Sequence, residues 1–126
     1  MTHWRTILAV DIDVNACAVY RANFPGVEVI CAKVADVALP CADAIIGGPP
    51  CQSFSTAGKG LGKAGGTNCW PEAIEAVRRV QPRMFLYENV AGMLNRKHLP
   101  YARQIHTELE ACGLASLGWH GRYWSL

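Results

Sequence analysis

Three groups of polar side chains in this sequence are of the types that do chemistry. The first is the thiol of Cys51 in Gly47-Gly48-Pro49-Pro50-Cys51-Gln52-Ser53-Phe54-Ser55. Two prolines stiffen the backbone before it, and two glycines before those allow a sharp exit from an apolar run. A cysteine presented in this way is suited to be a nucleophile wherever its thiolate is favoured. The second group is Glu88-Asn89, a carboxylate and an amide directly after Met84-Phe85-Leu86-Tyr87. The third is Asp11 and Asp13, after Ile7-Leu8-Ala9-Val10. Taken singly, each has an ordinary explanation: a half-buried thiol in a proline-rich turn, a solvated carboxylate at a strand end, a helix cap.

The elements that must position these groups are legible in the apolar pattern. Ile7–Val10 reads as a buried strand, and Asp13 as the cap of a helix on which Ala16, Val19, Tyr20 and Asn23 share one face. Pro25-Gly26 stops that helix, and Val27–Cys31 is a second strand. Ala44-Ile45-Ile46 is a third. The stretch from Gly58 to Gly66 is too poor in apolar residues to join a core. Pro71 sits at the start of a helix with Ala73, Ile74, Val77 and Val80 on its apolar face. Met84–Tyr87 is a fourth strand. Tyr101, Ile105, Leu109 and Cys112 form the seam of a last helix closed by Gly113, and the aromatic tail around Trp119, Tyr123 and Trp124 suits a final strand.

Strands alternating with helices imply right-handed crossovers and a parallel sheet covered on both faces. Ligands of such sheets sit beyond the carboxyl ends of the strands. All three polar groups fall at such ends, which points to one composite site.

Composition narrows the classes further. A chain of 126 residues, half of them apolar, is expected to fold as one domain. The net charge of +2 permits a polyanionic partner without requiring one. No apolar run is long enough to span a bilayer, and no secretory signal is evident. Six cysteines are scattered without a C-x-x-C pair, so disulfides and a metal site are not expected. A cytoplasmic protein is the resulting expectation.

Pro50-Cys51-Gln52-x-Phe54-Ser55, followed by Gly58-Lys59 and then by Glu88-Asn89-Val90, resembles the cytosine-C5 DNA methyltransferases. Ala9-Val10-Asp11-Ile12-Asp13 and Ala22-Asn23-Phe24-Pro25 match the same family in the same order, so the resemblance runs from about Ile7 to Trp124. It implies an α/β, Rossmann-like methyltransferase fold with an incomplete parallel sheet and flanking helices. It implies S-adenosyl-L-methionine as cofactor and double-stranded DNA as partner, with the target cytosine flipped out of the duplex. Cys51 would add to ring carbon 6 and Glu88 would hold the base, with Pro50 and Asn89 shaping the two catalytic turns. Asp11 would hold the ribose hydroxyls of the cofactor and Ile12 would lie against its adenine, with Val34 and Pro49 completing the cofactor contacts. The stretch from Ser55 to Gly66 matches a loop that closes over DNA, where Lys59 and Lys63 could meet phosphates.

Several family features are not found. A Phe-x-Gly-x-Gly loop and its strand do not precede Ile7. In the family that strand lies between the one ending at Asp11 and the one ending at Ile46, so two sheet halves are expected. Lys33 stands where an adenine-reading aspartate is usual, with Asp36 as the substitute. Lys63-Ala64-Gly65 replaces an Asp-x-Arg, and neither the Gln-x-Arg-x-Arg segment nor a target recognition domain is seen. Residues 1–126 are therefore expected to be a partial catalytic domain, inactive by itself. The alternatives are one subunit of a split enzyme, completed by another chain, and a non-catalytic module binding DNA or protein. A thiol hydrolase pairing Cys51 with His98, His106 or His120 lacks any partner motif.

Overall fold

The computed structural model describes residues 4–50 and 68–113. The chain divides into two compact units, Met1–Pro40 and Cys41–Leu126. Each holds its own parallel pair of strands, and among the described residues no ladder joins the two pairs. This matches the two halves that the resemblance implied.

The first unit is a strand–helix–strand: β1 (Leu8–Asp11), α1 (Val14–Asn23) and β2 (Glu28–Cys31). The strands pair in parallel from Leu8 opposite Glu28 to Asp11 opposite Cys31. Asp13 caps α1 as its sequence position predicts, its carboxylate accepting from the amides of Asn15 at 2.7 Å and Ala16 at 3.3 Å. Gly26, at φ 98°, makes the left-handed turn that returns the chain to β2.

The inward face of α1 differs from the sequence reading. Cys17 is the residue of this helix that is buried, Tyr20 is half-buried, and Ala16, Val19 and Asn23 are exposed, Val19 at 62%. Small and apolar residues lie all round this helix, so their spacing does not select a face. A two-stranded sheet is narrow, and the contact stripe that fits it runs through positions 17 and 20, three apart.

The second unit contains β3 (Ala44–Gly47), α2 (Trp70–Val80), β4 (Met84–Tyr87) and α3 (Leu99–Glu110), with 3-10 turns at Val34–Asp36 in the first unit and Ala91–Leu94 in the second. Strands β3 and β4 run parallel, Ala44 opposite Met84 through Gly47 opposite Tyr87. The core joins Trp70, Ala73, Ile74 and Val77 of α2 to Met93 and to Ile105, Leu109 and Cys112 at the other side. Ile45, Phe85 and Tyr87 of the sheet pack onto it. The predicted stripes of both helices are thus the buried ones, with Val80 and Tyr101 at their margins. Asn68 ties the start of α2 to α3 through a 2.7 Å bond to the Tyr101 hydroxyl. Gln81 ends α2 in the left-handed conformation, φ 49°, and Pro82 follows. Helix α3 ends at Glu110, and Gly113 adopts φ 86° after a further turn.

Strand alternation sends Ile45, Phe85 and Tyr87 to the helices and Ile46, Met84 and Leu86 to the opposite face. That face is open: Ile46 is 73% exposed, and Met84 and Leu86 are exposed as well. A parallel sheet covered on both faces, as the sequence suggests, is therefore not what the described residues form. The glycine-rich stretch from Gly58 to Gly66 and the aromatic tail at Trp119, Tyr123 and Trp124 lie outside the described residues.

Candidate active site

The residues directly after β3 and β4 in the second unit meet at the carboxyl ends of the two strands. The Glu88 amide donates to the Gly47 carbonyl at 2.9 Å, extending the parallel ladder by one bond beyond the strands. The Asn89 side-chain amide then donates to the Pro49 carbonyl at 2.9 Å, and its oxygen accepts from the Val90 amide at 3.0 Å. One side chain therefore fixes its own turn and ties it to the proline turn. Pro49 is buried and Pro50 exposed. Cys51 follows directly in sequence and lies outside the described residues, as do Lys59 and Lys63.

The two glycines have a different purpose from the one their sequence suggests. Neither adopts a positive φ, which among the described glycines is confined to Gly26 and Gly113. At Gly47 the need is for lateral room, whereas Gly48 is in ordinary contact with its neighbour. A β-carbon on Gly47 would stand 3.2 Å from Cε1 and 3.4 Å from Cδ1 of Tyr87, its register partner. A β-carbon on Gly48 would stand 3.6 Å from a carboxylate oxygen of Glu88. The Glu88 carboxylate thus lies along the bare backbone of Gly48, on the exposed side of the loop.

Tyr87 is the residue that sequence reasoning passed over. Its hydroxyl donates to the Ala73 carbonyl at 2.8 Å, and its ring meets the Trp70 ring edge-on, with centroids 5.8 Å apart at 85°. Burial pushes its phenol far above the ordinary range, with the Cys112 thiol adding to the effect. This neutral, locked ring anchors the residue before Glu88. The only sequence signal for it was an aromatic one residue before a strand-end carboxylate.

The remaining candidates lie in the first unit. Asp11 ends β1 exposed, and one of its carboxylate oxygens accepts from the Asp13 amide at 2.8 Å. Ile12 is 67% exposed. Val34 opens the 3-10 turn after β2, with Lys33 before it and Asp36 at its end. Asp11, Ile12 and Val34 therefore follow the carboxyl ends of one strand pair, and Pro49, Glu88 and Asn89 those of the other. Of the histidines, His98 is buried at the start of α3 and His106 pairs with Glu110 at 3.4 Å; His120 lies outside the described residues. No group of three or more His, Cys, Asp or Glu among the described residues could hold a metal. No helix among them is long and apolar enough to cross a membrane.

A family model for the C-5 cytosine-specific DNA methylases matches residues 1–119. The chain belongs to the C-5 cytosine-specific DNA methylase family. Among its relatives, the Type II methyltransferase M.NgoMIV of Neisseria gonorrhoeae is 34% identical over 123 residues, covering 93% of this chain and 37% of that protein. The Type II methyltransferase M.FnuDI of Fusobacterium nucleatum is 43% identical over 77 residues, covering 60% of this chain and 22% of the relative. M.AquIA of a Picosynechococcus strain, also a Type II methyltransferase, is 37% identical over 102 residues, covering 71% and 41%. This C-5 methylase chain thus spans well under half the length of these curated relatives. Its parallel strands and flanking helices are those of a partial Rossmann-like methyltransferase fold.

Proposed function

We propose that the chain carries the nucleophile and the base-holding carboxylate of a DNA (cytosine-5-)-methyltransferase, with Cys51 and Glu88 in those roles. The observation that carries this reading is the bond from Asn89 to the Pro49 carbonyl, which ties the loop leading to Cys51 to the loop bearing Glu88. Nucleophilic addition to a pyrimidine ring needs a soft thiolate on one side and, near it, a carboxyl group that holds the ring nitrogen.

In this reading a cytosine leaves the duplex and enters beside Glu88. The Cys51 thiolate adds to carbon 6, and the electron pair of the ring's double bond moves to carbon 5. Glu88 hydrogen-bonds N3 and the exocyclic amine, and so stabilises the charge that builds as sulfur adds. Asn89 and Pro50 hold the two turns in place. After methylation, loss of the carbon-5 proton expels Cys51 and restores the ring.

The first unit fits S-adenosyl-L-methionine in the chemistry of its donors. The carboxylate of Asp11 is oriented by the Asp13 amide and can accept from vicinal hydroxyls, and the exposed side chain of Ile12 offers an apolar surface to a purine. Val34 is the further contact proposed within this unit. When bound, this cofactor supplies the electrophilic methyl group.

Among the described residues each strand pair stands alone and the face at Ile46, Met84 and Leu86 is open, which supports a second element of the proposal: further polypeptide, tethered or separate, completes the active protein. Residues 1–126 are then a partial catalytic domain, silent in methyl transfer when assayed alone.

DNA carrying 5-fluorocytosine in place of cytosine tests the assignment. With S-adenosylmethionine present, the completed enzyme should form a denaturation-resistant adduct that maps to Cys51 and vanishes in Cys51→Ser. Binding of the same DNA without any adduct would instead mark a non-catalytic DNA-binding module.

A further inference from the structure

The first unit holds a pair of thiols that the proposed methyl transfer does not use. Cys17 lies on α1, 1% exposed, and its thiol points to the Asp11 carbonyl at 3.5 Å and the Ile30 carbonyl at 3.9 Å. Cys31, the last residue of β2, is exposed and lies on the Ile12 carbonyl at 3.6 Å. Asp11, whose carbonyl the Cys17 thiol meets, is the register partner of Cys31 and directly precedes Ile12. Both sulfurs therefore share one small space, bounded by the carbonyls of Asp11, Ile12 and Ile30.

From this geometry we propose that Cys17 and Cys31 form an oxidation-sensitive dithiol, which a peroxide converts to a disulfide. The exposed thiol reacts first. The Cys31 thiolate attacks one peroxide oxygen, the O–O bond breaks, and one water leaves, giving a sulfenic acid on Cys31. The Cys17 sulfur then attacks the Cys31 sulfur, the S–O bond breaks, and the departing hydroxide takes the Cys17 proton as a second water. Two thiols are oxidised and one peroxide is reduced. Burial, helped by the neighbouring Cys31 thiol, raises the pKa of Cys17, which suits it to the role of second, resolving thiol, shielded from direct attack.

The bond would close a loop from α1 to the end of β2, and two separate elements would be joined by one covalent link. It would also remove the Cys31 thiol from the Ile12 carbonyl, in the turn that carries Asp11. Oxidation should therefore weaken binding of S-adenosylmethionine, and this consequence alone rests on the cofactor role proposed for that turn.

The full chain, treated with hydrogen peroxide and then alkylated, gives the test by mass spectrometry and peptide mapping. The expected product has lost two hydrogens and two of its six alkylatable thiols. A single cross-linked peptide pair should contain Cys17 and Cys31, revert with dithiothreitol, and be absent from Cys31→Ser. Cys31 driven to its sulfinic acid while Cys17 stays alkylatable would overturn the proposal, as would either residue cross-linking to another cysteine instead. Calorimetry of S-adenosylmethionine with the completed enzyme, reduced and oxidised, separates the two readings. Equal affinity in both forms would refute the switch, whereas no binding to the reduced form of the completed enzyme would refute the cofactor role and leave the mapped disulfide standing.

Discussion

Replacing Gly47 with alanine should destabilise the second unit, although glycine-to-alanine changes in unstrained backbone usually stabilise. The new methyl would lie 3.2 and 3.4 Å from two carbons of the Tyr87 ring, a few tenths of an ångström inside ordinary contact. The ring cannot easily give way, because its hydroxyl is bonded to the Ala73 carbonyl at 2.8 Å and its edge rests against Trp70. Nor can the backbone recede, because the Gly47 carbonyl accepts from the Glu88 amide at 2.9 Å. Overpacking of this kind costs about 1–3 kcal/mol. Reduced freedom of the unfolded chain offsets about 0.4–1 kcal/mol of that. A net loss of roughly 1 kcal/mol, the difference between the middles of those two ranges, is expected in urea unfolding followed by circular dichroism, with an unchanged denaturant slope. Tyr87→Leu removes the obstructing ring, so the double variant should recover part of the loss, a coupling of about 0.5–3 kcal/mol. A Gly47→Ala chain as stable as the parent, or additive losses in the double variant, would refute the argument that the glycine exists to admit the tyrosine.

Asp13→Ala removes the cap of α1 and should cost about 1 kcal/mol, read as a lower urea midpoint, whereas Asp13→Asn should be nearly silent. Asn89→Ala deletes two hydrogen bonds, to Pro49 and from Val90, and should cost about 1–3 kcal/mol in the same measurement. In the completed enzyme it should also slow 5-fluorocytosine adduct formation without abolishing it, because Asn89 positions the loop and does not react. Tyr87 is held neutral by burial, so its folded pKa lies above its unfolded value of 10.0. The folded state then retains a proton that the unfolded state releases, and stability should fall as the pH rises above about 10. Tyr87→Phe should lack that part of the alkaline loss, measured by urea midpoints across the alkaline range.

Much of this architecture was written in short-range pattern. Asp13 could be read as a cap because capping is a contact over two or three residues, and the stripes of α2 and α3 because their apolar residues fall on one face. Strand β4 was legible as an apolar run bounded by polar residues. What could not be read depends on partners distant in sequence. Gly47 looks like a turn residue until Tyr87, 40 residues away, is placed beside it. The inward face of α1 was misjudged because the sheet beneath it, rather than its own composition, selects Cys17. The candidate site was recognisable in its residue types. The bond from Asn89 to Pro49, which unites its two loops, has no local signature.

The open face of the β3–β4 pair also governs how the chain can be handled. Ile46, Met84 and Leu86 make a strip two strands wide, adhesive to any apolar surface that meets it. In concentrated solution the strip should promote self-association. Its loss of solubility should scale with concentration, independently of how well the helices behind it are packed. Polar substitution at Ile46, whose side chain is directed away from the core, is thus the rational first step toward a soluble preparation.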